Sequence, residues 1–160
     1  MRAYAERARR LLMVEQTGGV LHAFCGAVGT AGMLTGVSKA LKAGSCAARI
    51  VALEPVSAPM LTQGHGGTHR VEGIAPGFEP PHLTPGVYDE ARAVDESDAR
   101  AMARRIAREE GVFAGTSSAL NVVAAGSRRT RYLTTTGTCS RIGWLFPVAV
   151  EVATSAKLTA

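Results

Sequence analysis

The sequence predicts an α/β protein with an open, mostly parallel, three-layer sheet that carries helices on both faces. The first observation behind this prediction is that apolar stretches of strand length alternate with stretches of helical spacing along the 160 residues. The second is that glycine, proline or a capping residue stands where these stretches meet. The third is that no apolar run approaches the roughly 20 residues of a membrane helix.

Each element has a local signal. Gly44 follows a helical stretch in the C′ position that ends helices. Asp95 precedes another such stretch as an N-cap, with Asp98 three residues later as a variant of the capping box. The predicted elements are a helix over 3–16, strands over 20–28 and 48–55 with a helix over 33–43 between them, a short strand over 88–94, a helix over 96–110, a strand over 112–115, and a helix from 117.

Two parts of the chain do not fit this alternation. Residues 56–86 contain six glycines and five prolines and predict a long loop, which in a compact domain is usually functional or poorly ordered. Residues 127–160 have no clean period and no caps. We therefore predict a partial α/β domain over 1–126 and a divergent, poorly ordered tail over 127–160.

Charge and composition favour a cytoplasmic protein that binds neither nucleic acid nor membrane. The net charge is +5, but the arginines are spread along helical stretches among alanines and acids, which is typical of a solvated face. The tight cluster Arg128–Arg129–Arg131 has no aromatic residues for base stacking around it. The first ten residues contain no apolar signal-peptide core.

The cysteines and histidines indicate neither a disulfide framework nor a metal site. The three cysteines, Cys25, Cys46 and Cys139, are odd in number and have no C-x-x-C spacing, which favours reduced thiols. His65 and His69 are four residues apart, but the stretch "QGHGGTHRV" is too rich in glycine to form the helix that a zinc pair would need.

The stretch "GAVGTAGMLTG" at 26–36 is the strongest functional signal. It joins a predicted strand to a predicted helix, so its backbone N–H groups and the helix dipole can bind a phosphate, with Thr30 and Thr35 as further donors. A tight turn without a ligand is one alternative. A dinucleotide site is another, because Glu54 ends the next strand where a ribose-binding acid would lie, although the spacing G-x-x-G-x-x-G differs from G-x-G-x-x-G.

Four blocks in the same order over 1–126 resemble one family, the fold type II pyridoxal-phosphate enzymes, and within it cysteine synthase and its relatives. The glycine stretch resembles the G-T-G-G-T phosphate loop of that family. "RIVALEP" resembles the strand that follows. "VEGIAPGFEP" resembles the segment "IQGIGAGFVP", and "GTSSA" resembles the G-x-S-S-G-A turn.

The resemblance implies pyridoxal 5′-phosphate as cofactor. The residues that would bind it are Gly29, Thr30, Ala31, Gly32, Met33, Gly73 and Ser117. Ser117 would hydrogen-bond the pyridine nitrogen, although a helix N-cap is its alternative role. Gly73, Ile74 and Gly77 map to a segment that lines the cleft. Ala31 replaces a glycine and Met33 a threonine, so phosphate binding requires that Ala31 need not adopt a positive φ.

The resemblance also implies β-replacement on an activated serine, as in cysteine biosynthesis, by a homodimeric enzyme. It implies no catalytic residue here, because the Schiff-base lysine of the family lies upstream of the glycine loop in an S-x-K-D-R-like motif that this sequence lacks. The lysines present are Lys39, Lys42 and Lys157. We thus expect an inactive or partner-dependent fragment, of marginal stability because its sheet edges are open. The alternatives are a non-catalytic phosphate- or cofactor-binding module and an NAD-type domain.

Overall fold

The computed structural model describes residues 21–44, 46–136, 142–145 and 148–151, with side chains described over 21–44 and 46–126. The elements in chain order are β1 (Ala23–Ala27), α1 (Gly32–Ala43), β2 (Arg49–Pro55), α2 (Met60–Gln63), β3 (Glu90–Val94), α3 (Glu96–Glu109), α4 (Thr116–Thr136), β4 (Ile142–Leu145) and β5 (Val148–Glu151). The predicted helix over 3–16 lies outside the described residues.

The strands form one open sheet in the order β3-β2-β1-β5-β4. β2 lies between β1 and β3 and is parallel to both, with Gly26 opposite Ala52 and Leu53 opposite Arg92. β5 is antiparallel to β1 and to β4. The α/β fold class with an open sheet is therefore confirmed. Because β1 and β2 are parallel, their carboxyl ends lie at the same end of the sheet. Ligands bind at this end in such folds.

Helices cover both faces because successive strand residues point to opposite sides of the sheet. One buried cluster contains Phe24, Ile50 and Ala52 of the strands with Leu34, Val37 and Leu41 of α1. The other contains Cys25, Val51 and Leu53 with Ala99 of α3 and Leu120 and Ala124 of α4. Each fully buried aliphatic side chain stabilises the fold by about 1.5–3 kcal/mol, so these two layers fix the position of the helix ends.

The predicted caps of α1 and α3 are largely found. The Asp95 carboxylate accepts hydrogen bonds from the Ser97 N–H and Oγ, both at 2.6 Å, and these bonds lower the pKa of Asp95. Gly44 donates its N–H to the carbonyls of Ala40 and Leu41 at 3.1 Å. Its φ is −87°, so Gly44 is the C-cap itself and not a left-handed C′ residue.

The long loop is tied to α3 through Glu96. The Glu96 carboxylate accepts hydrogen bonds from the Ser57 hydroxyl, from the Arg70 N–H at 3.1 Å and from Arg100 Nη2 at 2.7 Å. The Ser57 hydrogen bond is the main cause that lowers the pKa of Glu96. This connection holds the first part of the loop against the sheet, and the following residues therefore reach the carboxyl edge in a fixed position.

The predicted strand over 112–115 is wrong. Residues 111–115 pair with no strand in the described part of the chain and connect α3 to α4. β1 has no vacant side, because β2 and β5 pair with it, and within the described residues the segment does not add to the free outer edge of β3 either. Phe113 of this connector is 97% exposed.

The chain beyond Gly126 carries regular structure in part. α4 runs on to Thr136, and β4 and β5 follow within 142–151. The division into 1–126 and a separate tail stays a prediction. None of the helices in the described ranges combines the length and apolar character that a membrane span requires.

Candidate phosphate-binding cleft

A cleft of about 220 Å³ opens at the carboxyl end of β1. Four segments form it: the end of β1, the first turn of α1, the 72–74 part of the long loop, and the first turns of α4. The lining residues are Ala27, Gly29, Thr30, Ala31, Gly32, Met33, Leu34, Glu72, Gly73, Ile74, Ser117 and Asn121. All seven residues expected to bind a cofactor therefore surround one cleft, whereas Gly77 does not line it.

The glycine turn and the 72–74 segment are in direct contact. A Cβ atom built on Gly29 would lie 2.4 Å from the Gly73 carbonyl oxygen, a distance at which no side chain fits. The Ala75 N–H donates to the Val28 carbonyl at 2.8 Å and holds the two segments together. The glycine at position 29 thus permits the close approach that shapes one wall of the cleft.

The start of α1 presents backbone N–H groups that have no acceptor among the described residues. The first hydrogen bond of the helix type runs from the Thr35 N–H to the Ala31 carbonyl at 2.9 Å. The N–H groups of Gly32, Met33 and Leu34 precede it and have no partner within the helix. The helix has no side-chain cap and no acidic residue in its first turn. These donors and the helix dipole make this end of the cleft suited to an anion.

Ala31 has the left-handed conformation that the sequence interpretation required it to avoid. Its φ is 62° and its ψ is 0°. This conformation costs an alanine about 1–2 kcal/mol. The methyl group is buried in the core, which contributes about 0.8 kcal/mol, and a glycine would lose about 0.5–1 kcal/mol more backbone entropy. These terms nearly cancel, so an alanine is tolerated where the family has glycine.

We therefore expect Ala31→Gly to change the free energy of unfolding by less than about 1 kcal/mol in either direction. Ala31→Val should destabilise strongly, because a β-branched residue is rarely found at positive φ. Denaturant titration of both variants measures this difference. A large stabilisation by glycine would mean that the buried methyl group contributes nothing.

The threonines of the turn differ in what their hydroxyls can reach. Thr30 lines the cleft and is exposed. Thr35 donates its hydroxyl to the His82 carbonyl at 2.9 Å and does not line the cleft. The expectation that Thr35 adds a donor for phosphate is therefore wrong, because the long loop already uses that hydroxyl.

Ser117 lies inside α4 and faces the cleft. The Gly115 carbonyl accepts the N–H groups of Ser118 and Ala119 at 3.1 Å, so the helix begins before Ser117 and Ser117 is not its N-cap. Ser117 lines the same cleft as the glycine turn.

Asn121 belongs to the cleft and was missed by the sequence interpretation. It is 1% exposed, and its Oδ1 accepts the Ala27 N–H at 2.8 Å, which joins α4 to the end of β1. Its position four residues after Ser117 puts both side chains on one face of the helix. That spacing was the signal that could have found it.

Glu54 has a different role from the one a dinucleotide site needs. It is 2% exposed, and it accepts hydrogen bonds from the Leu61 N–H at 2.6 Å, the Thr62 N–H at 2.9 Å and the Thr62 hydroxyl at 2.6 Å. It does not line the cleft. Glu54 is therefore not placed to bind a ribose in this cleft, and the NAD hypothesis lacks its ribose-binding acid.

A cleft at the carboxyl edge of a parallel sheet, with free amides at a helix start and a facing serine, agrees with one enzyme family. Residues 1–138 match the family described as pyridoxal-phosphate dependent enzyme, and the chain belongs to that family. The cofactor of this family is pyridoxal phosphate.

Individual relatives are cysteine synthase-like. A cysteine synthase of Staphylococcus aureus is 40% identical over 114 residues, which cover 71% of this chain and 37% of the relative. The crystal structure of an O-ureido-L-serine synthase has a TM-score of 0.74 at 34% identity and covers 84% of this chain and 48% of that one. A cysteine synthase structure from Entamoeba histolytica has a TM-score of 0.68 at 31% identity, over 73% and 35%. The chain thus spans about a third to a half of these relatives' length.

Proposed function

We propose that this chain is the cofactor-holding part of a cysteine synthase-like enzyme, which replaces the β-substituent of an activated serine. The observation that carries the proposal is the single cleft lined by both the first turn of α1 and Ser117. The similarity to cysteine synthases supports the reaction class. Because the chain spans less than half of those relatives, the complete reaction would need residues from elsewhere.

The lining residues fit the parts of pyridoxal phosphate. The unpartnered N–H groups of Gly32 and Met33 would hold the phosphate, with the exposed Thr30 hydroxyl beside them. Ser117 would hydrogen-bond the pyridine nitrogen as a neutral partner, which favours the unprotonated ring. Met33, Leu34 and Ile74 provide apolar walls that exclude water. When bound, the cofactor supplies an electron-withdrawing ring that stabilises negative charge at the α-carbon of an amino acid.

No lysine lines the cleft among the described residues. Lys39 is exposed on α1, and Lys42 donates its Nζ to the Gly86 carbonyl. Lys157 lies outside the described residues. This supports the proposal that the described residues form a binding module and that activity needs a lysine from outside them. Borohydride treatment with pyridoxal phosphate should leave no label on a cleft residue, and a specifically labelled lysine there would contradict this.

Separate titrations with pyridoxal phosphate and with inorganic phosphate test the proposed site. We expect saturable binding of both, with each ligand displacing the other. Ser117→Ala should weaken binding of the cofactor about tenfold and leave the affinity for phosphate unchanged, because the serine would contact only the ring. Equal weakening of both ligands would contradict the role of Ser117, and binding of neither would reject the proposed function.

Met33→Thr should tighten phosphate binding about threefold to tenfold. The threonine adds a hydroxyl donor in the first turn of α1, and the net contribution of one hydrogen bond after competition with water is about 0.5–1.5 kcal/mol. Met33→Val is the matched control, because valine has the shape of threonine without the hydroxyl. Calorimetric titration of both variants measures the effect. Equal affinities of the two would show that position 33 does not contact the anion.

We also propose that the chain associates as a homodimer, which the family resemblance implies. The exposed Phe113 and the neighbouring Val112 support a self-association surface on the 111–115 connector. Phe113→Ser should shift the oligomer towards monomer in light scattering without loss of helical content. A monomeric wild-type chain would contradict this proposal.

A further inference from the structure

Glu72 is the one ionisable side chain among the residues that line the cleft. It is exposed in the loop segment that packs on the glycine turn. Two other acids that contact the long loop have partners: Glu54 accepts three hydrogen bonds, and Glu96 binds Ser57, Arg70 and Arg100. In the described part of the chain, no donor or cation is in contact with the Glu72 carboxylate. Its negative charge is therefore available to a ligand.

Groups of both signs therefore line the cleft. The α1 amides contribute partial positive charge, and Glu72 contributes a full negative charge to the lining of the same 220 Å³. A ligand with a phosphate alone is attracted by the amides and repelled by Glu72. A ligand that also carries an ammonium group satisfies both.

We propose that Glu72 makes the cleft selective for phosphate esters that carry a primary ammonium group. This inference rests on the proposed function and deepens it: the cleft takes the aminated form of the phosphorylated pyridine in preference to the neutral form. Glu72 is then a specificity-determining residue. It stands where the family segment "IQGIGAGFVP" has a neutral glutamine.

The test uses the full chain and two probes, pyridoxamine 5′-phosphate and pyridoxine 5′-phosphate. The probes share the ring and the phosphate, and they differ only in an aminomethyl against a hydroxymethyl group. Neither has an aldehyde, so adducts with surface lysines do not disturb the titration. We expect the wild-type chain to bind the aminated probe about threefold to fivefold more tightly, the range for partly exposed ion pairs, and the preference to shrink with added salt.

Glu72→Gln should bring the ratio of the two dissociation constants close to one. Glu79→Gln is the matched control, because it removes the same charge from an exposed position of the same loop outside the cleft, and it should keep the wild-type ratio. Binding of both probes with the same ratio in the wild type and Glu72→Gln would overturn the inference alone. An equal effect of Glu79→Gln would also overturn it. Binding of neither probe would overturn the proposed function as well.

Discussion

Gly29→Ala should remove anion binding and destabilise the chain by about 2–3 kcal/mol, the upper part of the range for overpacked sites. The added Cβ would lie 2.4 Å from the Gly73 carbonyl oxygen. That oxygen belongs to the backbone, so it cannot move away by a side-chain rotation. The clash has to separate the glycine turn from the 72–74 segment, and this separation opens the wall of the cleft.

Gly32→Ala is the control for this prediction. A Cβ atom on Gly32 would meet only the Thr30 Oγ1, at 3.7 Å, which is an ordinary contact. Its stability should therefore equal that of the wild type within about 0.5 kcal/mol. Phosphate titration and denaturant unfolding of both variants measure binding and stability separately. Wild-type stability in Gly29→Ala would show that the two segments are not held as closely as described.

The order of β1, α1, β2, β3, α3 and α4 could be predicted from the sequence because it depends on local patterns, whereas α2, β4 and β5 were not predicted. Apolar alternation and capping residues such as Asp95 act within a few positions of one another. The unpaired 111–115 connector could not be predicted in this way. Residues 112–115 have strand character, but pairing depends on where α3 and α4 place this segment relative to the sheet, and β1 is already paired on both sides.

The candidate site was recognised through motif resemblance, and its details depend on contacts between distant segments. The sequence shows that Ala31 replaces a glycine, but only the backbone angle shows that the position is left-handed. The helical spacing from Ser117 could have placed Asn121 beside the cleft, but its hydrogen bond from the Ala27 N–H joins residues 94 apart. The bond from the Thr35 hydroxyl to the His82 carbonyl is a similar long-range contact. Patterns within one element cannot indicate such contacts.

Glu54→Ala should destabilise the chain by about 3 kcal/mol, because it removes three hydrogen bonds to a buried carboxylate. The bonds fix the first turn of α2 against the end of β2, so their loss also frees the start of the long loop. Glu54→Gln keeps one acceptor oxygen but directs an amide N–H group at a backbone donor. The Glu54→Gln variant should therefore lose an intermediate amount of stability, about 1–2 kcal/mol.

This prediction separates the structural role of Glu54 from a role in nucleotide binding. If the role of Glu54 is structural, both variants should unfold at a lower denaturant concentration than the wild type. The folded fraction should still bind phosphate with wild-type affinity, because Glu54 lies outside the cleft. If Glu54 binds a ribose, both variants should lose little stability. The wild type should then bind NADH saturably, and Glu54→Gln should abolish this binding. Unfolding curves combined with NADH and phosphate titrations of the same preparations distinguish the two roles. We expect the structural outcome, because the donors of Leu61 and Thr62 already occupy both carboxylate oxygens.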